Sequence, residues 1–127
     1  METQNLWPDF AIETTKSPKA ILKEQAGYLM AKTNNLLSAD VQTGQNNQDS
    51  IVHDFYIVAP ALNNYRFRVL TIVHEAIYYP LTVFWDKYNV DFTAENQEEF
   101  IELLRKIFKD PSTIQVISSL LSQSLAE

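Results

Sequence analysis

The sequence predicts an α+β fold: an N-terminal helix, an antiparallel meander of three to four strands, then two C-terminal helices, in the order αββββαα. Three observations predict it. Residues 51–75 show the period-two alternation of strands, helical periodicity flanks them on both sides, and the strand connections are short. At 127 residues the chain has the size of one domain. We therefore assign residues 1–127 to a single domain in which residues 1–16 form an extended N-terminal arm.

The N-terminal arm is polar apart from a short apolar cluster that contains Trp7 and Phe10. Pro8 interrupts any helix there and favours an extended conformation at Trp7. We expect the arm to pack on its own domain, because termini that matter are usually tied down. Docking of residues 7–12 on another molecule, or their exchange between subunits, is the alternative.

The first helix is predicted to begin with Ser17 as its N-cap and Pro18 as its first residue, and to run to about Ser38. Apolar residues recur along it every three or four positions, which is typical of an amphipathic helix. They are Ile21, Leu22, Ala26, Leu29, Leu36 and Leu37. This face needs an apolar surface to cover, and the sheet supplies one.

The central hairpin is apolar on both of its faces, whereas a sheet with one wet face alternates between apolar and polar residues. Residues 41–44 lead into it as a short strand, and Asn63-Asn64 suits a tight turn because Asn tolerates positive φ. After Pro80, residues 81–86 add a further strand that is apolar on both sides. Helices, a second copy of the chain or a partner must therefore cover both faces.

The two C-terminal helices are predicted from their caps. Thr93 is the candidate N-cap of the first, and Asp110-Pro111 begins the second. Almost no linker separates them, so we expect them to lie side by side and to cover only one face of the sheet. The uncovered face then becomes an association surface. Its predicted residues are Phe55, Ile57, Leu70, Ile72 and Trp85, with Arg66 and Arg68 at the rim.

The two histidines of the chain form a second candidate site. A two-residue turn at Asn63-Asn64 would place His53 opposite His74 on one face of the hairpin. Two imidazoles can bind zinc, or one can act as a general base. The neighbouring acids, Asp54 and Glu75, point to the other face and do not complete a coordination sphere. We therefore expect a partly buried structural pair, with a metal site as the less favoured alternative, and assign no catalytic residue and no cofactor.

Composition limits the function classes. The net charge of −6, from 16 acidic and 10 basic residues, argues against nucleic-acid and anionic membrane partners. The absence of cysteine excludes disulfides and thiolate catalysis. No run approaches the ~20 apolar residues of a membrane helix, and the first residues do not resemble a signal peptide. We expect a cytoplasmic protein.

These observations favour a small acidic protein-interaction module that forms a homodimer or binds a protein partner. The layout is similar to that of small acidic secretion chaperones and of bacterial immunity and antitoxin proteins, which also place helices on an antiparallel sheet. Two alternatives stay open. One is a small-ligand-binding domain with an aromatic pocket gated by Arg66 and Arg68, and the other is a metalloenzyme that uses His53 and His74.

Overall fold

The computed structural model describes residues 2–126 and confirms the α+β fold. The helices are α1 (Pro18–Lys32), α2 (Gln97–Lys109) and α3 (Pro111–Leu125). The strands are β1 (Ser38–Gln45), β2 (Ile51–Ala59), β3 (Tyr65–His74), β4 (Leu81–Trp85) and β5 (Val90–Ala94). The predicted domain bounds, 1–127, reach one residue beyond the described range at each end.

The strands form one antiparallel meander in the order β1-β2-β3-β4-β5, so the sheet has five strands where three to four were predicted. The additional strand is β5, whose Phe92 pairs with Val83 of β4. Thr93 therefore lies in a strand and does not cap α2. The cap is Asn96, whose side chain accepts a hydrogen bond from the Glu99 amide, and this satisfies one of the free N–H groups at the start of the helix.

The first helix is shorter than predicted and ends at Lys32 rather than near Ser38. Asn34 and Asn35 follow it with φ values of 51° and 65°, in the left-handed region that ends helices. The Thr33 hydroxyl donates to the Leu29 carbonyl and accepts from the Leu37 amide. This turn buries Leu37 and delivers the chain directly into β1. The predicted starts of α1 and α3, at Ser17-Pro18 and Asp110-Pro111, are confirmed.

All three helices lie on one face of the sheet, and the core is formed between them. Phe55 of β2 packs against Phe108 of α2 with their ring centroids 5.6 Å apart. The core also contains Ile21 and Leu22 from α1, and Leu120 from α3. Each fully buried aliphatic or aromatic side chain contributes about 1.5–3 kcal/mol of transfer free energy. This face therefore holds the fold together.

The register of the central hairpin differs from the predicted one, because residues 60–64 connect the strands where a two-residue turn was expected. Pro60–Leu62 forms a 3-10 turn, and Asn63 and Asn64 both have positive φ. Phe55 pairs with Leu70, but the next residue of β2, Tyr56, pairs with Arg68. Val69 is thus an extra residue in β3, a β-bulge that inverts the alternation of side chains along the strand.

The bulge divides the predicted interaction face into two. Leu70, Ile72 and His74 point toward the helices, as do Phe67 and Val69 on the other side of the bulge. Arg66 and Arg68 point to the opposite face, where they pair across the sheet with Val58 and Tyr56. Predicting one face for both arginines and Leu70 was therefore wrong. A single inserted residue is the reason, and its mark in the sequence is the adjacent apolar pair Val69-Leu70, across which the polar positions shift from Arg66 and Arg68 to Thr71.

Candidate functional site

The N-terminal arm carries the largest group of exposed apolar side chains among the described residues. Leu6, Trp7, Phe10 and Ile12 are 82%, 75%, 75% and 93% exposed. Residues 2–17 form no helix or strand, and from residue 2 to Thr15 the side-chain hydrogen bonds of the arm are local ones, such as that from the Trp7 amide to the Asn5 side chain. Lys16, at the base of the arm, binds Glu24 of α1. The prediction that the arm packs on its own domain is therefore wrong, and the apolar side chains of the arm are exposed to water.

The five apolar residues predicted to form the association surface lie in the core. Their exposed fractions do not exceed 4%, the value for Trp85. The helices cover most of their face of the sheet, so these side chains expose almost no surface, and what remains for Phe55, Ile57 and Trp85 lies at the bottom of grooves between the helices and the sheet. The set is Phe55, Ile57, Leu70, Ile72 and Trp85.

The two predicted rim arginines lie together on the uncovered face, and each is bound within the chain. Arg66 pairs with Asp40 at 3.1 Å and stacks over the Tyr56 ring at 4.3 Å from its centroid. Arg68 binds Asp86 at 2.7 Å. These ion pairs give the uncovered face a polar covering, which explains how a sheet of apolar strands tolerates water on that side. The arginines do not gate a pocket between sheet and helices.

The histidine pair is assembled, although by diagonal rather than direct pairing. His53 pairs with Ile72 and His74 with Ile51, yet the two Nε2 atoms lie 3.1 Å apart. Both side chains are buried. The Thr43 hydroxyl of β1 lies 2.8 Å from His53 Nδ1, and the Glu75 carbonyl lies 2.5 Å from His74 Nδ1. Every ring nitrogen therefore has a partner.

The hydrogen bonds fix the tautomers of the pair. A carbonyl oxygen only accepts, so His74 carries its proton on Nδ1 and accepts at Nε2. His53 must then donate from Nε2 and accept at Nδ1 from the hydroxyl of Thr43. In the neutral pair the hydrogen bonds therefore form one series, in which Thr43 donates to His53, His53 donates to His74, and His74 donates to the Glu75 carbonyl.

Burial opposes the charged form of His53 and lowers its pKa from 6.5 to about 4. The neighbouring His74 and the Lys19 ammonium lower the pKa further, whereas the Asp54 carboxylate raises it. His53 therefore stays neutral at physiological pH. Within residues 2–126, no three potential metal ligands come together. Asp54 lies on the opposite face, hydrogen-bonded to Thr71, and Glu75 offers the pair its backbone carbonyl.

A groove of about 430 Å³ lies between α1 and the α2–α3 pair, and we call it the helical groove. Its floor is apolar and includes Phe55 and Ile57 of β2, and Ile21 lies at one end of its α1 wall. Its charged lining residues are Lys32, Arg105 and Lys109, all cationic. Arg105 is paired with Glu102, but Lys32 and Lys109 form no ion pair with any described residue. An acidic protein thus has a locally positive apolar groove.

A second groove, of about 630 Å³, runs between α3 and the β3–β4 side of the sheet, and we call it the side groove. Tyr65, Phe67 and Trp85 supply its aromatic side. The α3 wall is uncharged and mostly polar, with Ser119 and Gln123 among its residues beside the apolar Val116 and Leu120. Aromatic faces opposite amides and hydroxyls are typical of small-ligand sites.

Sequence reasoning identified the histidines and the arm, and it kept open an aromatic pocket between sheet and helices, although with Arg66 and Arg68 as its gate; it missed the helical groove. Lys32 and Lys109 lie on different helices, so only the packing of α1 against α2 brings them to one rim. Comparison of the chain with protein-family models, with curated proteins and with solved structures gives no match. Within residues 2–126, no helix has both the length and the apolar character to cross a membrane.

Proposed function

We propose that this protein is a protein-interaction module that associates through the apolar side chains of its N-terminal arm, with a second copy of the chain as its first partner. The observation that carries the proposal is the exposure of Leu6, Trp7, Phe10 and Ile12, none of which contributes to the core. Tyr and Trp are preferred interface anchors, and clustered apolar side chains on a surface mark interaction sites.

The polar covering of the open sheet face supports the same assignment. Because Arg66 and Arg68 are bound to acids of their own chain, that face offers few free groups to a partner. The arm is different, since its large side chains have no contacts with the core to lose on binding. Association through it therefore costs no core packing.

The test is the solution mass, measured by light scattering on a size-exclusion column, of the natural chain and of the variant W7S/F10S. We expect twice the chain mass for the natural protein and the monomer mass for the variant. The matched control is I77S/L125S, which removes two side chains of similar exposure, 77% and 71%, outside the arm. A dimer that survives W7S/F10S, or a natural chain that is monomeric at all concentrations, contradicts the self-association.

The side groove favours a second candidate, a small-ligand-binding domain. Its aromatic side can stack on a planar molecule while Ser119 and Gln123 offer hydrogen bonds. The test is a thermal-shift screen of small metabolites against the natural chain and against S119W, which fills the groove from an exposed position of α3. Ligands that stabilise the natural chain and not S119W support this function.

A further inference from the structure

We infer that the helical groove is the receptor for the N-terminal arm of a second copy of this chain, so that two copies exchange arms. The inference rests on the proposed function and names the surface that the arm binds. Groove and arm are complementary in shape, in apolar character and in charge.

An extended arm places most of its apolar side chains on one side and the carboxylates of Asp9 and Glu13 on the other, and the groove has an apolar floor and a cationic rim. Successive residues of extended chain point to opposite sides. In the free chain the Trp7 and Phe10 rings lie 6.0 Å apart, so binding in the groove has to straighten the arm between them. Once the arm is extended, Leu6, Phe10 and Ile12 share one side, which matches the apolar floor formed around Phe55 and Ile57. The other side carries Asp9 and Glu13, which matches a rim of cations.

The charges are also complementary. Residues 2–15 contain three carboxylates, those of Glu2, Asp9 and Glu13, and no basic residue. The charged residues that line the groove are Lys32, Arg105 and Lys109. Trp7 shares the rim side with Asp9, where its ring can lie against a lysine or arginine.

The lengths agree as well. The α1 wall of the groove runs from Ile21 to Lys32, which is about 17 Å at 1.5 Å per residue. Residues 7–13 of an extended arm span about 20 Å at 3.3–3.4 Å per residue. One arm therefore fills the groove from end to end.

A second copy is the occupant we assign because the chain does not fill its own groove. Lys16, at the base of the arm, is bound to Glu24 of α1 at 2.8 Å, and the arm beyond it is exposed. A two-fold exchange uses each arm and each groove once, with identical contacts in both directions. Large aromatic side chains bury about 150–250 Å² each. Two arms and two grooves together therefore approach the ~1,000 Å² expected of a stable interface.

The first experiment reverses charge at the rim. K32E/K109E changes two exposed lysines of the groove, and the matched control K23E/K87E makes the same change of charge at exposed lysines outside it. Lys23 lies on the far side of α1 from the groove, about 200° around the helix from Ile21 at 3.6 residues per turn. We expect K32E/K109E to weaken the dimer by at least about tenfold and the control to leave it intact. Adding D9K/E13K to K32E/K109E should restore the dimer.

The second experiment mixes two variants that each lack one half of the contact. W7S/F10S keeps the groove, and Y28E/K32E/K109E keeps the arm but disables the groove at exposed positions. Each should be monomeric alone, and the mixture should form a one-to-one complex. The emission of Trp7, supplied only by the groove variant, should then shift to shorter wavelength.

The outcomes separate the two proposals. A dimer lost in W7S/F10S but unchanged in K32E/K109E overturns the helical groove as receptor and leaves the arm as the association element. A dimer unchanged in W7S/F10S overturns both. A natural chain that is monomeric with a protected Trp7 shows docking of the arm in its own groove and overturns the exchange.

Discussion

His53 and His74 meet in the interior with their Nε2 atoms 3.1 Å apart, and the proton between them belongs to His53. The assignment follows from the ends of the chain of hydrogen bonds. The Glu75 carbonyl at one end only accepts, and the Thr43 hydroxyl at the other end is free to donate. Hydrogen bonds across three neighbouring strands, β1 to β3, thus link the edge of the sheet to its centre without any buried charge.

The first prediction is a loss of stability in acid that originates at His53. Above pH 6.5 this residue is neutral in both the folded and the unfolded chain, so its contribution is fully present. As the pH falls, the unfolded chain takes up a proton near 6.5, whereas the folded chain resists until about pH 4. The free energy of unfolding should therefore decrease by about 3 kcal/mol across this window.

Urea unfolding measured at intervals from about pH 7.5 to 4 checks the prediction. Carboxylates titrate in the same range, so the comparison that matters is with H53Q, which keeps a polar side chain but cannot be protonated. The pH dependence of H53Q should be shallower than that of the natural chain between pH 6.5 and about 4. Equal slopes for the two proteins would show that His53 is not the origin.

The second prediction concerns the tautomers. Long-range proton–nitrogen correlation spectra at neutral pH should show His53 protonated at Nε2 and His74 at Nδ1. T43V removes the donor to His53 Nδ1 and should lower the free energy of unfolding by about 1 kcal/mol. T43S retains the hydroxyl and should recover most of that loss. A proton on His53 Nδ1 would show that the hydrogen bonds between Thr43, His53 and His74 run in the opposite direction, with His53 donating to Thr43.

Much of the fold could be predicted from the sequence, because the signals involved are local. Ser17-Pro18 and Asp110-Pro111 begin α1 and α3 as expected, since an N-cap and a proline at the first helical position depend only on adjacent residues. Strand β5 also had a signal. Val90 to Ala94 alternates between apolar and polar residues, but the helix-start pattern at Thr93 overlaps it. Pairing with β4, a tertiary effect, decides between the two.

The candidate site was harder to predict because it depends on register and packing. The bulge at Val69 places Arg66 and Arg68 on the face opposite Leu70. Its mark in β3 is the adjacent apolar pair Val69-Leu70, which a strand that is apolar on both faces also explains without a bulge. The helical groove requires Lys32 of α1 and Lys109 of α2 to lie at one rim, which is a property of helix packing. For the histidine pair, the prediction that both side chains lie on the same face was correct, but the predicted direct pairing of His53 with His74 was wrong. A register shifted by two residues keeps both side chains on the same face.

The third prediction compares the loss of stability when a large apolar side chain is truncated to alanine on each of the two faces of the sheet. Leu70 is fully buried beneath the helices, whereas Phe84 of β4 lies on the open face and is 41% exposed. L70A should lower the free energy of unfolding by about 2–5 kcal/mol, because it leaves a cavity in the core. F84A should cost much less, and neither change should alter the solution mass of the folded protein. Urea unfolding and light scattering provide the two measurements. Comparable losses in the two variants would show that the open face is also covered.

The fourth prediction tests the bulge in β3 by removing it. Deletion of Val69 makes Leu70 follow Arg68 directly, which matches the adjacent pair Phe55 and Tyr56 in β2 and restores simple alternation along the strand. Arg66 and Arg68 then stay on the open face with Asp40 and Asp86. What is lost is the buried Val69 side chain, which contributes about 1.5–3 kcal/mol of transfer free energy.

The deletion variant should therefore keep cooperative urea unfolding and the dispersed amide spectrum of a folded chain, with a lower free energy of unfolding than the natural protein. Deletion of Asn47, at the exposed turn between β1 and β2, is the matched control and should be tolerated, because turn tips accept changes in length. A Val69 deletion that no longer unfolds cooperatively would contradict this account, because the regular ladder preserves every other cross-strand pair of the hairpin. The bulge would then stabilise the fold by more than its one buried side chain, through the local twist that it gives to β2 and β3.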